Sequence, residues 1–449
     1  MKKIIQYIML AVVTIVMASC TSDIEETTAT TGKSNVQLVV GEFPAFGDSQ
    51  TRAIGTPDEG KTSWAVGDEL ILEIANTSYG RHSATFTYNG KSWELTSGEL
   101  VYLEGDPAYI PHVYYAPNYK WEAGELFLKK GKVAGTDEYI EGKAIITGNG
   151  ETITVSFAEA TRKYSRLRIA TIPNEQITVD TEYFTPAGSS DMEQNGNYTL
   201  TSDEKGNAYL YGTFENNSEV TVKYREAALT TYTFSQATES AKSYALDATV
   251  ISANSAEEIK SAIEQKVADG KTTIRLNLAP NAGTNEFMAI REAIKGAAPN
   301  DLGTIELTII GVETIPEEAF YKMLQLKSVR MSDVKEIKKY AFKECQYLTV
   351  VEAPSLNKLY SGAFKKCDQL SKLTFGPINY ADARNWPIFE YITPNIDLIL
   401  SDYQKEMIET DDYLYTANND RDYAGSDEHN SKNFLGREFK SITCRYPVE

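Results

Sequence analysis

The chain begins with a mainly apolar run and then changes to short alternating patterns. Residues 4–18 are apolar except for Gln6 and Thr14 and follow Lys2 and Lys3, and a run of this length is typical of a secretory signal rather than a membrane span. The run ends in small residues followed by Cys20. This pattern predicts an exported protein whose signal peptide comprises residues 1–19.

Between residue 36 and about residue 250, apolar and polar positions alternate in short segments separated by turn residues. Asn89-Gly90 and Asn149-Gly150 each stand between two such segments, and Asn-Gly favours a type I′ hairpin turn. Many short strands without a long helix predict β-sandwiches. Further strands are predicted at residues 69–74, 166–170, 209–214, 219–224 and 229–234.

The last third of the chain repeats one apolar pattern every 22 residues. Phe320, Phe342 and Phe364 share one position of the repeat, and Ala, Ile, Leu and Val columns recur at the same period. Many columns with one period indicate a solenoid whose coils stack about 4.8 Å apart. The coils are expected over residues 305–380. They follow a lead-in of two helices, the first with a capping-box pattern at Ser255.

Together these patterns predict a mainly β protein with a small α/β part: two tandem β-sandwiches and then a short repeat solenoid with a helical lead-in. A length of 449 residues is enough for several domains. The predicted parts are a signal peptide at 1–19, a polar tether at 20–34, sandwiches at 35–158 and 159–250, and a repeat domain at 251–449.

Residues 17–20, Met-Ala-Ser-Cys, resemble the lipobox of bacterial lipoproteins, in which cleavage leaves a lipid-modified Cys as the first residue. The acidic stretch that follows resembles the tract that routes lipoproteins of the Bacteroidetes to the outer face of the outer membrane. The resemblance implies a lipid on Cys20 and a mature chain that faces the cell exterior. The alternative is an ordinary signal peptide with a chance Cys.

Thr-Arg-Ala at residues 51–53, followed by Trp-Ala-Val-Gly-Asp at 64–68, resembles the fimbrillin-like family of Bacteroidales. Members of that family are lipoproteins with two consecutive β-sandwich domains. Cleavage near such an Arg releases their first strand and opens a groove for a strand of another subunit. The resemblance implies proteolytic processing at Arg52 and partnership with fimbrial subunits. The alternative is that Arg52 is an ordinary loop residue.

The repeat unit resembles the leucine-rich repeats of BspA-like bacterial surface proteins, where a Cys often follows three residues after the Phe. Cys345 and Cys367 occupy that position on two neighbouring units. Parallel stacking would strain a disulfide between them, so buried free thiols are expected. Cys444 has no obvious partner in the sequence.

The overall charge and the residue counts exclude several classes of function. With 44 basic and 63 acidic residues the net charge is −19, which repels phosphate backbones, so no nucleic-acid partner is expected. Three His and four Cys leave little material for zinc or His-based catalysis, and the usual metalloprotease, Cys-pair and nucleophile-elbow motifs are missing. We therefore predict no metal, no cofactor and no enzymatic activity.

Two segments resemble ligand-binding sequence motifs but lack features that binding requires. Residues 55–62 fit the letters of the Walker A motif, yet Pro57 removes an amide and the segment leads into a strand, so no nucleotide is expected. The acid-rich residues 411–430 suggest a calcium loop. Counted from Asp420, Ala424 stands at the fifth ligand position, so the strict loop fails.

The coils differ in charge from the rest of the chain, because residues 315–378 hold eleven basic and seven acidic side chains. Lys343 and Lys365 should be neighbours on adjacent coils, with Lys339 near Ser361. The candidate basic strip comprises Lys338, Lys339, Lys343, Lys365 and Lys366. Such a strip fits an acidic glycan or an extracellular protein. The alternative is an ordinary hydrated solenoid surface.

The function expected from the sequence is adhesion to, or recognition of, a macromolecule at the cell surface. The reason is that repeat surfaces offer broad interfaces and no catalytic constellation is visible. The alternatives are an accessory or tip subunit of a fimbria assembled by strand exchange and, third, a surface hydrolase.

The first test concerns the anchor. Replacing Cys20 by Ala should leave an unprocessed precursor that takes up no palmitate label, because the thioether and the cleavage site are both lost. Two or three acyl chains at roughly 0.8 kcal/mol per buried CH₂ hold a protein stably on a membrane. Metabolic labelling that is unchanged in the variant would exclude Cys20 as the lipid site.

Overall fold

A computed structural model describes a little over three quarters of the chain. The described residues are 37–48, 61–77, 80–100, 109–147, 152–157, 162–253, 255–381, 388–392, 395–405, 433–435 and 437–445. Cys20, Arg52 and the acid-rich segment 411–430 lie outside them. Among the described helices, none has the length and apolar character to cross a membrane. The chain divides into two compact units, residues 1–47 with 58–163 and residues 48–57 with 164–449.

The first unit is built on one seven-stranded sheet with the strand order β1-β10-β9-β6-β3-β4-β5. Strand β1 pairs parallel with β10, and the other neighbours pair antiparallel. The strands of this unit are β1 (Gln37–Val40), β3 (Glu69–Asn76), β4 (Gly80–Tyr88), β5 (Trp93–Gly98), β6 (Val113–Tyr115), β7 (Tyr119–Glu122), β8 (Glu125–Leu128), β9 (Ile140–Thr147) and β10 (Thr152–Ser156). Strands β7 and β8 form a separate antiparallel hairpin.

Trp64 accounts structurally for the motif at residues 64–68. Its ring packs edge-on against Phe43 at 4.9 Å, Trp93 at 5.1 Å and Tyr115 at 5.2 Å. Its indole N–H donates to the carbonyl oxygen of Gly41 at 2.9 Å. The motif therefore ties the segment after β1 to the body of the sheet.

Both predicted hairpins are present, but the first turn differs from the expectation. Strands β4 and β5 are joined by a four-residue loop in which the Asn89 N–H donates to the Ser92 carbonyl at 3.0 Å. Gly90 takes the positive φ, +98°, that Asn-Gly was expected to supply. The prediction of a type I′ turn is wrong here because Lys91 and Ser92 lengthen the loop. Strands β9 and β10 also pair, and their turn lies outside the described residues.

The second unit begins with an eight-stranded sheet. Its strand order is β16-β15-β12-β14-β11-β17-β2, and the eighth strand, β13, pairs with β12. Strand β12 bends at Tyr183, whose φ is +48°, so that residues 178–181 pair with β15 and residues 184–186 pair with β14. The strands are β2 (Gly47–Asp48), β11 (Ser165–Ala170), β12 (Gln176–Pro186), β13 (Glu193–Thr201), β14 (Asn207–Phe214), β15 (Glu219–Tyr224), β16 (Ala227–Thr233) and β17 (Lys242–Asp247).

The lead-in to the repeats contains the two predicted helices, α1 (Ala256–Ala268) and α2 (Thr284–Ala297). The Ser255 hydroxyl oxygen accepts the Glu258 N–H at 3.3 Å and caps α1, as the sequence pattern predicted. Ile310, at the end of the first repeat strand, belongs to the hydrophobic core of the preceding sheet. The repeats are therefore fused to that sheet through a shared core.

The coils form two parallel sheets with the strand orders β18-β19-β20-β22-β24-β26-β28-β31 and β21-β23-β25-β27. Val329, Val351 and Leu373 pair in succession at the predicted 22-residue step, and the next partner, Leu398, follows after 25 residues. The strands of these sheets are β18 (Ile251–Ser252), β19 (Thr273–Asn277), β20 (Ile305–Ile310), β21 (Thr314–Ile315), β22 (Leu326–Met331), β23 (Glu336–Ile337), β24 (Val350–Ala353), β25 (Lys358–Leu359), β26 (Lys372–Phe375), β27 (Tyr380–Ala381), β28 (Asp397–Ser401) and β31 (Ser441–Arg445). Strands β29 (Asn433–Phe434) and β30 (Arg437–Glu438) form a separate antiparallel pair.

A ladder of stacked Phe rings fills the centre of the coils. Centroid separations along the ladder are 5.1 Å from Phe320 to Phe342, 5.3 Å to Phe364 and 5.6 Å to Phe389. Phe287 of α2 closes one end edge-on at 5.6 Å. At the other end Phe439 meets Phe389 edge-on at 5.5 Å. The predicted fold class, mainly β with a repeat solenoid and helical lead-in, is confirmed.

The two repeat cysteines are buried free thiols, as predicted. The Cys345 Sγ–H donates to the Phe320 carbonyl at 2.9 Å, and the Cys367 Sγ–H donates to the Phe342 carbonyl at 3.0 Å. Burial raises the pKa of Cys345 to about 12, so this thiol stays protonated and unreactive at neutral pH.

Two glycines of the repeat domain test the tightness of its packing. Gly311 and Gly270 both have left-handed φ values, +88° and +73°. A Cβ on Gly311 would lie 2.2 Å from the Leu278 carbonyl oxygen, whereas one on Gly270 would meet nothing within 4 Å. Gly270→Ala should cost about 1 kcal/mol of unfolding free energy through backbone strain alone. Gly311→Ala should lower the unfolding free energy, measured by urea denaturation, by about 1–3 kcal/mol more than Gly270→Ala does. Equal losses of stability in the two variants would contradict the close approach to the Leu278 carbonyl oxygen.

Candidate functional site

Each coil turns a corner through two residues with left-handed φ, and this repeated corner presents side chains in register. Backbone hydrogen bonds between coils hold it, with the Tyr340 N–H donating to the Ser361 carbonyl at 3.1 Å and the Glu344 N–H donating to the Lys365 carbonyl at 2.8 Å. The left-handed residues are Glu318, Lys322, Tyr340, Glu344, Gly362 and Lys366, with φ between +54° and +63°. Equivalent side chains are thus fixed one coil apart.

Tyr rings and Lys ammonium groups alternate along this corner. The Lys343 Nζ lies 5.0 Å from the Tyr321 ring centroid and 4.8 Å from that of Tyr340, so it joins two coils. The Lys339 Nζ lies 4.8 Å from the Tyr340 ring. The Tyr340 ring packs over Gly362, where any side chain would displace it. We call the residues Tyr321, Lys339, Tyr340, Lys343 and Lys366 the tyrosine–lysine corner.

Most other charges on the coils are matched by a carboxylate on the neighbouring coil. Residues of opposite sign recur about 22 positions apart, so parallel stacking brings each pair together. Such exposed pairs contribute little stability individually, but they neutralise most of the charge. The pairs and their N–O distances are Lys335–Glu313 at 2.6 Å, Lys358–Glu336 at 2.6 Å, Lys327–Glu306 at 2.8 Å, Arg330–Glu352 at 2.9 Å and Lys322–Glu344 at 3.5 Å.

The partners of Glu336 and Lys322 shift the pKa values of these two groups. Hydrogen bonds from Lys338 and then Lys358 hold the pKa of the Glu336 carboxyl below its usual value. The Tyr321 hydroxyl, followed by the Glu344 carboxylate, raises the pKa of Lys322. These groups therefore remain charged around neutral pH.

The structure separates the five predicted lysines into three environments. Lys339 and Lys366 have no carboxylate within 4 Å in the part of the chain that the structure describes, and Lys343 reaches Glu344 only at 4.0 Å. Lys338 instead pairs with Glu336 beside the short strands. Lys365 is only 11% exposed, and its Nζ lies 2.6 Å from the Glu390 carboxylate. Lys365 is therefore not open to a ligand.

The predicted adjacencies hold for the backbone but not for the side chains. Residues 343 and 365 lie on neighbouring coils, joined through the Glu344 N–H. Their side chains diverge, since Lys343 reaches Tyr321 and Lys365 reaches Glu390. The tyrosines of the corner were not predicted from the sequence. The sequence does place Tyr next to Lys at residues 321–322 and 339–340, and both pairs lie at the corner.

No metal site emerges on the described residues, because no three His, Cys, Asp or Glu side chains there are placed to share an ion. The acid-rich segment 411–430 is not among these residues.

Parallel coils stacked at a 22-residue step around a Phe ladder define a leucine-rich-repeat solenoid. Residues 302–399 match the family model of the BspA type leucine-rich repeat region, in six copies. The repeat part of the expected resemblance is confirmed.

Two solved structures share partial similarity with the chain. A candidate cell-adhesion protein of Bacteroides fragilis is 11% identical, covers 49% of this chain and 93% of its own, and has a TM-score of 0.29. The minor pilin of Streptococcus agalactiae is 10% identical, covers 48% of this chain and 94% of its own, and has a TM-score of 0.16. These scores are too low to indicate a shared fold. No curated protein sequence matches the chain.

The burial of Lys365 gives a test of its structural role. Lys365→Met should lower the unfolding free energy by about 3 kcal/mol, because the Glu390 carboxylate, 12% exposed, loses its ammonium partner. The exposed neighbour Lys366 is the matched control, and Lys366→Met should change stability by no more than about 0.5 kcal/mol. A loss for Lys365→Met on urea titration as small as that expected for Lys366→Met would contradict a buried ion pair at Lys365.

Proposed function

We propose that this chain is a lipid-anchored protein of the outer cell surface that recognises an acidic macromolecule through its tyrosine–lysine corner. The ligand class is a sulfated or uronic glycan, or an acidic protein segment of similar charge spacing. The observation that carries the proposal is Lys343, whose ammonium lies between the Tyr321 and Tyr340 rings of two coils and has only a distant carboxylate.

The corner suits a linear polyanion for geometric reasons. Tyr offers a large contact area at a low cost in side-chain entropy, and Lys supplies positive charge next to it. Lys339 and Lys343 lie on one coil and Lys366 lies on the next, so the corner presents three positive charges across two coils to a polymer. Each exposed contact is worth a few tenths of a kcal/mol and is screened beyond roughly 8 Å at physiological salt, so several must act together.

The anchor and the location complete this proposal. The lipobox-like residues 17–20 and the acidic stretch after them support a lipid on Cys20 and display outside the outer membrane. The proposed role is adhesion or recognition and involves no catalysis.

The alternative is an accessory or tip subunit of a fimbria. One observation favours it: β1 has only four residues, and among the strands that the structure describes it lies at the edge of its sheet with β10 as its one neighbour. Removal of so short a strand after cleavage at Arg52 would expose β10 to a strand from another subunit. Antibody labelling of cells in the electron microscope separates the two roles, since label along fibres favours the fimbrial one.

The binding test uses a charge-matched pair of triple variants. Replacing Lys339, Lys343 and Lys366 by Ser should weaken binding to a heparin-type polymer at low salt by about tenfold or more, equivalent to about 1.4 kcal/mol from three contacts. Binding by the parent protein should also weaken steeply as salt rises.

The control replaces Lys327, Lys335 and Lys372 by Ser. It removes the same charge from the same coils, but these lysines are paired with carboxylates. The control should bind within about twofold of the parent. Equal losses of affinity in both variants would mean that binding depends only on overall charge. No binding by the parent at low salt would refute the polyanion surface.

A further inference from the structure

The first unit contains a cleft that the proposed polyanion surface does not involve. It lies between strand β4 and the β7–β8 hairpin and has a volume of about 620 Å³, within the usual range for sites that hold small ligands. Arg81, His82 and Ser83 line one side, and Trp121, Glu125 and the hairpin turn line the other. The cleft thus combines one large aromatic ring with several hydrogen-bonding groups.

A stiff hairpin supports the aromatic ring. Ala123 and Gly124 both have positive φ, +50° and +89°, which is the signature of a tight type I′ turn. Trp121 pairs with Leu126 across the hairpin, and Lys120 pairs with Phe127, so Phe127 projects from the face opposite Trp121. Trp121 is half-buried, leaving part of its ring open to the cleft.

An ion pair with Glu73 holds the guanidinium of Arg81 in place. Its Nε donates to the Glu73 carboxylate at 2.7 Å, and Glu73, only 2% exposed, is also 2.8 Å from the His112 Nδ1. The Arg81 side chain itself is 58% exposed, so its remaining N–H groups face outward. Arg81 therefore offers fixed donors, which cost little entropy when a ligand binds.

His82 also lines the cleft, but its ring nitrogens are not open to it. Within the described residues neither ring nitrogen has a hydrogen-bond partner, and both are shielded from solvent. Shielded polar groups without partners are rare in folded proteins and call for an explanation. Because both nitrogens are shielded, we assign His82 no contact with a ligand.

The charge of the cleft decides which ligands suit it. Arg81 is neutralised by Glu73, and Glu125 adds a carboxylate, so the cleft has no excess of positive charge for an anion. A neutral sugar fits this set, because its apolar ring face stacks on an indole and its hydroxyls both donate and accept. We propose that this cleft binds a neutral saccharide, with Trp121 as the platform and Arg81, Glu125 and Ser83 as hydroxyl partners.

The test uses the mature full-length chain in detergent on an array of neutral oligosaccharides. We expect at least one to bind, with an affinity that changes little between low and moderate salt because no counterions are displaced. Trp121→Ala should weaken this binding by about tenfold or more, as for the loss of one central aromatic contact. Phe127→Ala, on the other face of the same hairpin, should leave it unchanged.

A second variant covers the case in which Trp121→Ala disturbs the hairpin. Glu125→Gln keeps size and exposure, removes the charged acceptor, and should weaken saccharide binding several-fold while circular dichroism stays unchanged. The proposal is overturned if no neutral saccharide binds, if both cleft variants bind like the parent, or if only acidic saccharides or acidic peptides bind with steep salt dependence. Polyanion binding at the coils is tested by its salt dependence and by the lysine variants. Either proposal can therefore be refuted without affecting the other.

Discussion

The stacking of equivalent residues one coil apart is the constraint on which the repeat domain depends. Parallel pairing of Val329, Val351 and Leu373 sets the step, and the Phe ladder fills the space inside it. An aromatic ring at one level needs another at the next, so the ladder must be closed at its ends. Phe287 and Phe439 do this from outside the coils by turning their rings edge-on.

The same constraint arranges the surface. A residue type that recurs every 22 positions becomes a row, and opposite charges at that spacing become inter-coil ion pairs such as Arg330–Glu352. These pairs remove most of the charge that the composition of the coils suggests. The tyrosine–lysine corner is the place where this matching is incomplete, since Tyr rings stand where carboxylates stand elsewhere. The proposed binding of an external anion at this corner rests on that difference.

The period encoded the register of Phe320, Phe342 and Phe364 directly, because a solenoid converts sequence distance into spatial distance. It could not predict Phe389, which continues the ladder only after a 25-residue coil. The burial of Lys365 was hidden for the same reason, since its partner Glu390 lies on that longer coil. The cleft beside Trp121 was also invisible in the sequence, because it depends on how a separate hairpin packs against β4. Local alternation predicts strands but not how hairpins pack.

Hydrogen–deuterium exchange of the full chain with a heparin-type oligosaccharide tests most directly whether the corner is the binding surface. We expect slower exchange at low salt in peptides covering residues 338–344, with exchange in the strand residues 326–331 and 350–353 unchanged. Protection confined to those strands, or to no part of the coils while the oligosaccharide is bound, would contradict this expectation.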